Sequence, residues 1–211
     1  MTPVVLIGGG GHAKVVAAIV SKLAQFRIVG YTAPVTGTMS FGIPYLGDDD
    51  VLSDLLANNH ALGAVLGIGI VRVDDRRGTL IQRLLTQGLS LPVVVSPSAV
   101  VNAEVVIEDG TVVMDGVVIN PGARIGVGSI INTHATVEHD CKIGAFSHIA
   151  PGAVLCGGAS VGSRSIIGAR ACVLPGVQIG DRCLVGAGAT VISNLLDPGI
   201  YVGSPARRTV R

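Results

Sequence analysis

The stretch IEDGTVVMDGVVINPGARI, residues 107–125, places an aliphatic side chain at Ile107, Val113, Ile119 and Ile125, six residues apart each time. The beat runs on in both directions. From Val95 to Val191 every sixth residue is aliphatic, without one insertion. Four residues after the aliphatic position stands something small or β-branched, as at Ala99, Thr111, Ala123, Ser129, Ala135, Ala153 and Ala189. Each proline of the stretch (Pro97, Pro121, Pro151, Pro175) falls two residues after it, and Gly110, Gly116, Gly128, Gly158 and Gly188 take the following slot. Turn chemistry at a fixed phase means a short strand and a bend, repeated. The aliphatic residue points inward, and the small one lets neighbouring faces approach. Three units close a triangular coil of 18 residues, so residues 95–191 are expected to form about five coils of a parallel β-helix. A period of six does not fit an amphipathic α-helix, and a sandwich lacks this strict phase.

The rhythm weakens in one place. Over residues 131–148 the three corners read Thr133-His134, His139-Asp140 and Ala145-Phe146, with neither proline nor glycine. Nowhere else do three consecutive corners lack both, and positions where local rules yield are expected to be functional. Corner residues are displayed to solvent or to a neighbouring subunit. His139 stands there between Glu138 and Asp140. A carboxylate beside an imidazole fixes its tautomer and strengthens it as a base, as needed to take a proton from an attacking amine or hydroxyl. His148 lies half a coil further on and is assigned to a different edge. Cys141 occupies the small inward slot, so it reads as packing rather than as a nucleophile.

The bulk numbers limit the alternatives. Among 211 residues only 14% are charged and 3% aromatic, while glycine reaches 30. Such a balance suits a repetitive β architecture. A net charge of +1 without a basic cluster argues against a nucleic-acid partner. Hydrophobic residues make up 49%, yet the apolar runs are short and broken, so no membrane span is expected. The start shows no basic leader or cleavage site, so a secretory signal is not expected. Cys141, Cys156, Cys172 and Cys183 show no CxxC spacing, which reads as reduced cysteines in a cytoplasmic protein with no metal site.

Ahead of the repeats, VVLIGGGGHAKVVAAIV (residues 4–20) reads as a buried strand over Val4–Ile7, a glycine loop and a helix from about Ala13. Gly8, Gly10 and Ala13 satisfy G-x-G-x-x-[G/A], a phosphate-cradling loop at a helix N-terminus. A dinucleotide site would want an acid after the second strand. That strand, FRIVGYTA, ends in Tyr31-Thr32-Ala33, so NAD is disfavoured. DDDVLSDLLANN reads as a helix, GAVLGIGIV as a third strand, and DRRGTLIQRLLTQG as a helix ending at a glycine cap. Residues 1–90 are therefore assigned to a Rossmann-like α/β domain, and residues 91–211 to the β-helix with its C-terminal tail.

The hexapeptide pattern resembles that of the hexapeptide-repeat acyltransferases, whose coils are left-handed, and YVGSPARRTV (201–210) resembles their terminal G-x-P-A signature. With a glycine-rich α/β module directly ahead, the chain resembles the bacterial sialic-acid O-acetyltransferase and nucleotide-aminosugar N-acetyltransferase group over essentially its whole length. GGGGHAKV and the segment from Asn132 to Gly144 carry the resemblance most specifically. It implies a homotrimer with active sites between subunits, a nucleotide sugar held by the N-terminal module, and acetyl-CoA lying along the coils as co-substrate. By position it implies His139 as general base and Asp140 as the acid that raises its basicity. It further implies His148, Gly157, Ala169 and Ala187 along acetyl-CoA, and Gly10, Gly11, His12, Gly69 and Asn132 at the nucleotide sugar. Members using uridine nucleotides carry acids near Thr32-Ala33, and this chain does not, which leaves the base open. The expected activity is N-acetylation of a nucleotide-linked aminosugar in bacterial surface glycan biosynthesis. The alternatives are O-acetylation of a sugar hydroxyl such as that of sialic acid, and a non-catalytic trimer that binds nucleotide sugars. A γ-type carbonic anhydrase with zinc on His134, His139 and His148 is a more remote third.

Overall fold

A computed structural model of the protein describes residues 1–35 and 42–209. The N-terminal part is a parallel sheet of β1 (Thr2–Ile7), β2 (Phe26–Thr32), β3 (Tyr45–Gly47) and β4 (Gly63–Leu66), in the order β3-β2-β1-β4. Val4, Val5, Leu6 and Ile7 are all buried, as a strand covered on both faces requires. The helices are α1 (Gly11–Val20), α2 (Leu52–Asn58) and α3 (Arg76–Thr86). α1 buries Ala13, Val16, Ala17 and Val20, the three- and four-residue spacing of a helix with one apolar face. It begins two residues earlier than its hydrophobic pattern indicates, because Gly10 takes an extended conformation and serves as its N-cap. Two other expectations are corrected. The acidic helix starts as a 3-10 turn over Asp49–Val51 before α2. The third strand of the sequence reading stops at Leu66, leaving Gly67, Gly69 and Ile70 in a loop. The edge strand β3 carries no alternating pattern and was not foreseen.

The rest of the chain is a left-handed parallel β-helix. Nearly every strand is two residues long and pairs with the strand 18 positions on, as Arg124 with Lys142 and Ile125 with Ile143. The strands stack into three sheets, which form the faces of a prism. Face I contains Val112–Val113, Ile130–Ile131, His148–Ile149 and Ile166–Ile167. Face II contains Val118–Ile119, Thr136–Val137, Val154–Leu155 and Cys172–Val173. Face III contains Arg124–Ile125, Lys142–Ile143 and Ser160–Val161. The aliphatic beat lies inside: Ile119, Ile131, Val137, Ile149, Leu155, Ile167 and Val173 are fully buried, with Ala135, Cys141, Ala153 and Ala171 between them. Cys141 is thus core, as its phase indicated.

At most bends one residue adopts a left-handed backbone, often glycine, but Glu104, Arg164, Arg170 and Arg182 take the same role, as do His134 (φ 56), Asp140 (φ 61) and Phe146 (φ 59). The bend amides of the 131–148 coil donate to the preceding coil as those of bend glycines do. His134 N reaches Asp115 O at 3.0 Å, Asp140 N reaches Pro121 O at 3.1 Å, and Phe146 N reaches Val127 O at 2.8 Å. A side chain in that conformation costs about 1–2 kcal/mol, and less for asparagine or aspartate. The coil from 131 to 148 accepts that cost at all three corners.

The N-terminal domain sits on face I. Outward-facing Val94, Val112 and Ile130, with Met114 just beyond, share one core with Val4, Val16, Ala17 and Val20. Along the edge between faces III and I, Phe146 packs against the core that includes Ile81, Leu84 and Leu66. Gly128 at this edge has no room for a side chain, since a Cβ would stand 3.0 Å from the Phe146 ring and closer still to Ile81. Arg164 and Arg182 from the same edge both grip Asp75, at 2.5 and 2.8 Å, just before α3. At the C-terminus, Gly199–Val202 extends face I beside Cys183–Val185, and Arg207–Arg208 folds back on it antiparallel. The signature tail is described up to Thr209; Val210 lies outside the described residues.

Candidate active site

The structure separates the residues named from sequence into three places on the prism. His139 and Asp140 form a corner between faces II and III. His139 Nδ1 lies 2.9 Å from Asp140 Oδ2. The carboxylate can only accept, so Nδ1 carries the proton and Nε2 presents its lone pair. Both side chains are largely exposed, at 64% and 73%. Their neighbours along the edge are glycines. A Cβ on Gly157 would stand 2.5 Å from His139 Nε2, and one on Gly122 would stand 2.6 Å from Asp140 Oδ1. The ring therefore lies over the coil after it and the carboxylate over the coil before it. Glu138 belongs to face II instead, where it accepts from Asn120 Nδ2 at 2.9 Å.

The second place is the seam between the α/β domain and face I. Here the glycine loop opens α1, and none of the described residues stands within 4 Å of a Cβ built on Gly10 or Gly11. Gly8 and Gly9 differ. Gly8 has φ +111 and lies against Gly67 and Ile68, while a Cβ on Gly9 would strike the Tyr31 ring at 2.8 Å. Two glycines thus shape the loop, and two leave space above the helix N-terminus, where backbone amides and the helix dipole favour an anion. His12 packs against Gly69, whose Cβ would be 3.4 Å from the ring. Burial, Arg77 and His148, in that order, pull the His12 pKa down to about 3, and among the described residues none hydrogen-bonds its Nε2.

His148 is on face I, not on an edge as the half-coil spacing suggested. It precedes Ile149 within a strand, so its side chain points out from the face into the seam. Its Nδ1 donates to Ile70 O at 2.7 Å, and its Nε2 accepts from Asn132 Nδ2 at 3.0 Å. Burial is the main reason its pKa is lowered. The seam thus brings together Gly10, Gly11, His12, Gly69, Asn132 and His148. The third place, the edge between faces I and II, carries Ala169, Ala187 and His134. The three histidines considered for zinc occupy two different edges and one face.

Three residues in or beside these places went unread in the sequence. Arg77 is the buried arginine of the seam, in a DDRRG run that looks like a solvated helix start. Phe146 stood at a flagged corner, but the sequence gave no sign that it packs under α3. Thr32 at the tip of β2 donates from Oγ1 to Asp49 Oδ1 at 2.6 Å. The tip of the second strand therefore has a carboxylate after all, supplied by the 3-10 turn.

Residues 3–77 match the PglD N-terminal domain, and residues 158–193 match the bacterial transferase hexapeptide (six repeats). The chain is 38% identical to PerB from Caulobacter crescentus, whose crystal structure holds CoA and GDP-perosamine. That match has a TM-score of 0.90 and covers 98% of this chain and 97% of that one. It is 32% identical to the acetyltransferase domain of PglB from Neisseria gonorrhoeae, with a TM-score of 0.89 over 99% of this chain and 100% of that one. The protein belongs to the hexapeptide-repeat acetyltransferase family. Membership of this hexapeptide-repeat acetyltransferase family extends to both parts of the chain, since both relatives align over nearly its full length. The PglB domain has also been crystallised with acetyl coenzyme A. Two further structures of the Caulobacter perosamine N-acetyltransferase carry one histidine replaced by Asn or Ala, with CoA and GDP-perosamine bound.

Proposed function

We propose that this protein is an acetyl-CoA-dependent sugar acetyltransferase that acetylates the amine of a nucleotide-linked aminosugar, with His139 as the general base. The single observation that carries the reading is the His139–Asp140 pair, with Nδ1 committed to the carboxylate and Nε2 free above Gly157. The sugar amine attacks the thioester carbonyl of acetyl-CoA. As the new C–N bond forms, Nε2 takes the proton that the nitrogen sheds. Collapse of the tetrahedral intermediate then breaks the C–S bond, and the departing sulfur receives the proton as free CoA. A positioned base of this kind contributes about 10²–10⁴-fold, and orientation supplies much of the remainder. Glycine at position 157 is what lets the imidazole lie along this edge, since a side chain there would strike Nε2.

The nucleotide sugar belongs at the seam, over Gly10 and Gly11. Face I borders two edges of the prism, and His139 is on the third. One protomer therefore turns its base away from its own α/β domain. Face II is the apolar face left uncovered, with Val100 53% and Ile192 49% exposed. Packing three copies through face II brings the His139 edge of one protomer to the Ala169–Ala187 edge and the seam of the next. We assign the active sites to these clefts of a homotrimer, with acetyl-CoA along Gly157, Ala169 and Ala187. The PerB and PglB structures support the choice of acetyl-CoA and of an aminosugar amine as acceptor. Among the described residues no helix is long and apolar enough to cross a membrane. Cytoplasmic synthesis of surface glycan precursors is the setting this chemistry fits.

The test is a panel of GDP-, UDP- and dTDP-linked aminosugars, incubated with acetyl-CoA and followed by release of free thiol. At least one amine should be acetylated, and His139→Asn should lower kcat by about 10²-fold or more with KM little changed. Turnover by that variant at the wild-type rate would remove His139 from the mechanism.

A further inference from the structure

Arg77 is the one charged side chain buried among the described residues, at 4% exposed. It lies where α3 meets the seam, and its partners are backbone carbonyls alone. Nε donates to Gly128 O at 2.5 Å, Nη1 to Ile68 O at 2.5 Å, and Nη2 more loosely to Gly110 O at 3.5 Å. Among the described residues no carboxylate pairs with it. Asp74 is engaged by Arg72 and Arg76, and Asp75 by Arg164 and Arg182. Three carbonyl dipoles offset only part of the cost of burying a cation, and two of the five guanidinium N–H bonds remain without an acceptor in this set. An apolar side chain of similar length would fill the seam without that cost. The charge itself therefore points to an anion that the chain does not contain.

The place for that anion is close by. Ile68, which takes the Nη1 bond, touches the glycine loop: a Cβ on Gly8 would stand 3.1 Å from the Ile68 side chain. His12, just inside α1, and His148 both lie within the field of Arg77, which helps to keep both imidazoles neutral. The α1 dipole adds positive potential of the same sign at the open Gly10 and Gly11. We infer that Arg77 is the counter-charge for the diphosphate of the bound nucleotide sugar, a positioning residue acting from beneath the glycine loop; this rests on the nucleotide-sugar reading above. In a seam of low dielectric such a charge acts over a longer range than it would in water.

The experiment measures affinity of the full-length protein for GDP, UDP and dTDP and for the uncharged guanosine, uridine and thymidine. Wild type is compared with Arg77→Gln, Arg77→Met and Arg77→Lys, at low and high salt. Both neutral variants should bind the preferred diphosphate about tenfold or more weakly and with a flatter salt dependence, while nucleoside affinity stays within about twofold. Arg77→Lys, which keeps the charge and loses the fork, should recover most of the diphosphate affinity. Equal losses for diphosphate and nucleoside would overturn the inference, as would failure of both neutral variants to fold while the lysine variant folds; either result would make Arg77 a brace of the seam alone. If wild type binds no nucleoside diphosphate, the nucleotide-sugar reading itself fails.

Discussion

His139 and His12 receive opposite treatment from their surroundings. His139 is exposed at a corner, with one nitrogen tied to Asp140 and the other left free. His12 is buried beside a cation and held neutral. The second arrangement has a consequence for stability. Between about pH 6.5 and 3 the unfolded chain holds a proton on this imidazole that the folded protein refuses. Stability should therefore fall as pH drops through that window, by up to roughly 4 kcal/mol at its acid end. His148, its pKa also lowered by burial, adds to the same trend. His12→Gln should flatten the pH dependence of thermal unfolding below pH 6, and an unchanged slope would show that the imidazole titrates normally in the fold. The two residues were not equally legible. The His139–Asp140 pair could be read because it broke a beat at a known phase. The burial of Arg77 could not, because what hides it is the carbonyls of Gly110 and Gly128, far away in the chain.

At the scale of the coil, glycine serves two purposes that the sequence does not distinguish. Gly162 has an ordinary backbone, but a Cβ there would stand 2.4 Å from the backbone carbon of Gly180. Gly176 has φ +69 and open space around it. Gly162→Ala should therefore destabilise the prism by about 1–3 kcal/mol, since backbone cannot give way cheaply. Gly176→Asn should cost under about 1 kcal/mol, because asparagine tolerates the left-handed region, as Asp140 already does here. Thermal unfolding of the two variants checks the contrast, and equal losses would mean that conformation rather than crowding sets the cost. The inward residue of each repeat strand was readable, since a turn at a fixed phase leaves the strand no freedom to slip. In the α/β part, β3 and the 3-10 turn were missed or misread. Three-residue and one-turn elements are held by tertiary contacts such as that of Thr32 with Asp49, and leave little periodicity in the chain.

The whole molecule is a prism with an α/β domain on one face and the His139–Asp140 pair on the opposite edge. That division explains why face I is apolar outside as well as inside, a feature the six-residue beat alone could not assign to a docked domain. It also makes the account testable across subunits. His139→Ala removes the proposed base and leaves the seam intact. Gly10→Glu puts a negative charge into the open space above α1 and leaves the base intact. Each variant alone should be nearly inactive. If transfer occurs between the edge of one protomer and the seam of the next, co-assembly of the two in equal amounts should restore activity to about a quarter of the wild-type value, the share of clefts that receive both intact halves. Mixed assemblies that stay as inactive as either parent would contradict the account and return catalysis to a single chain.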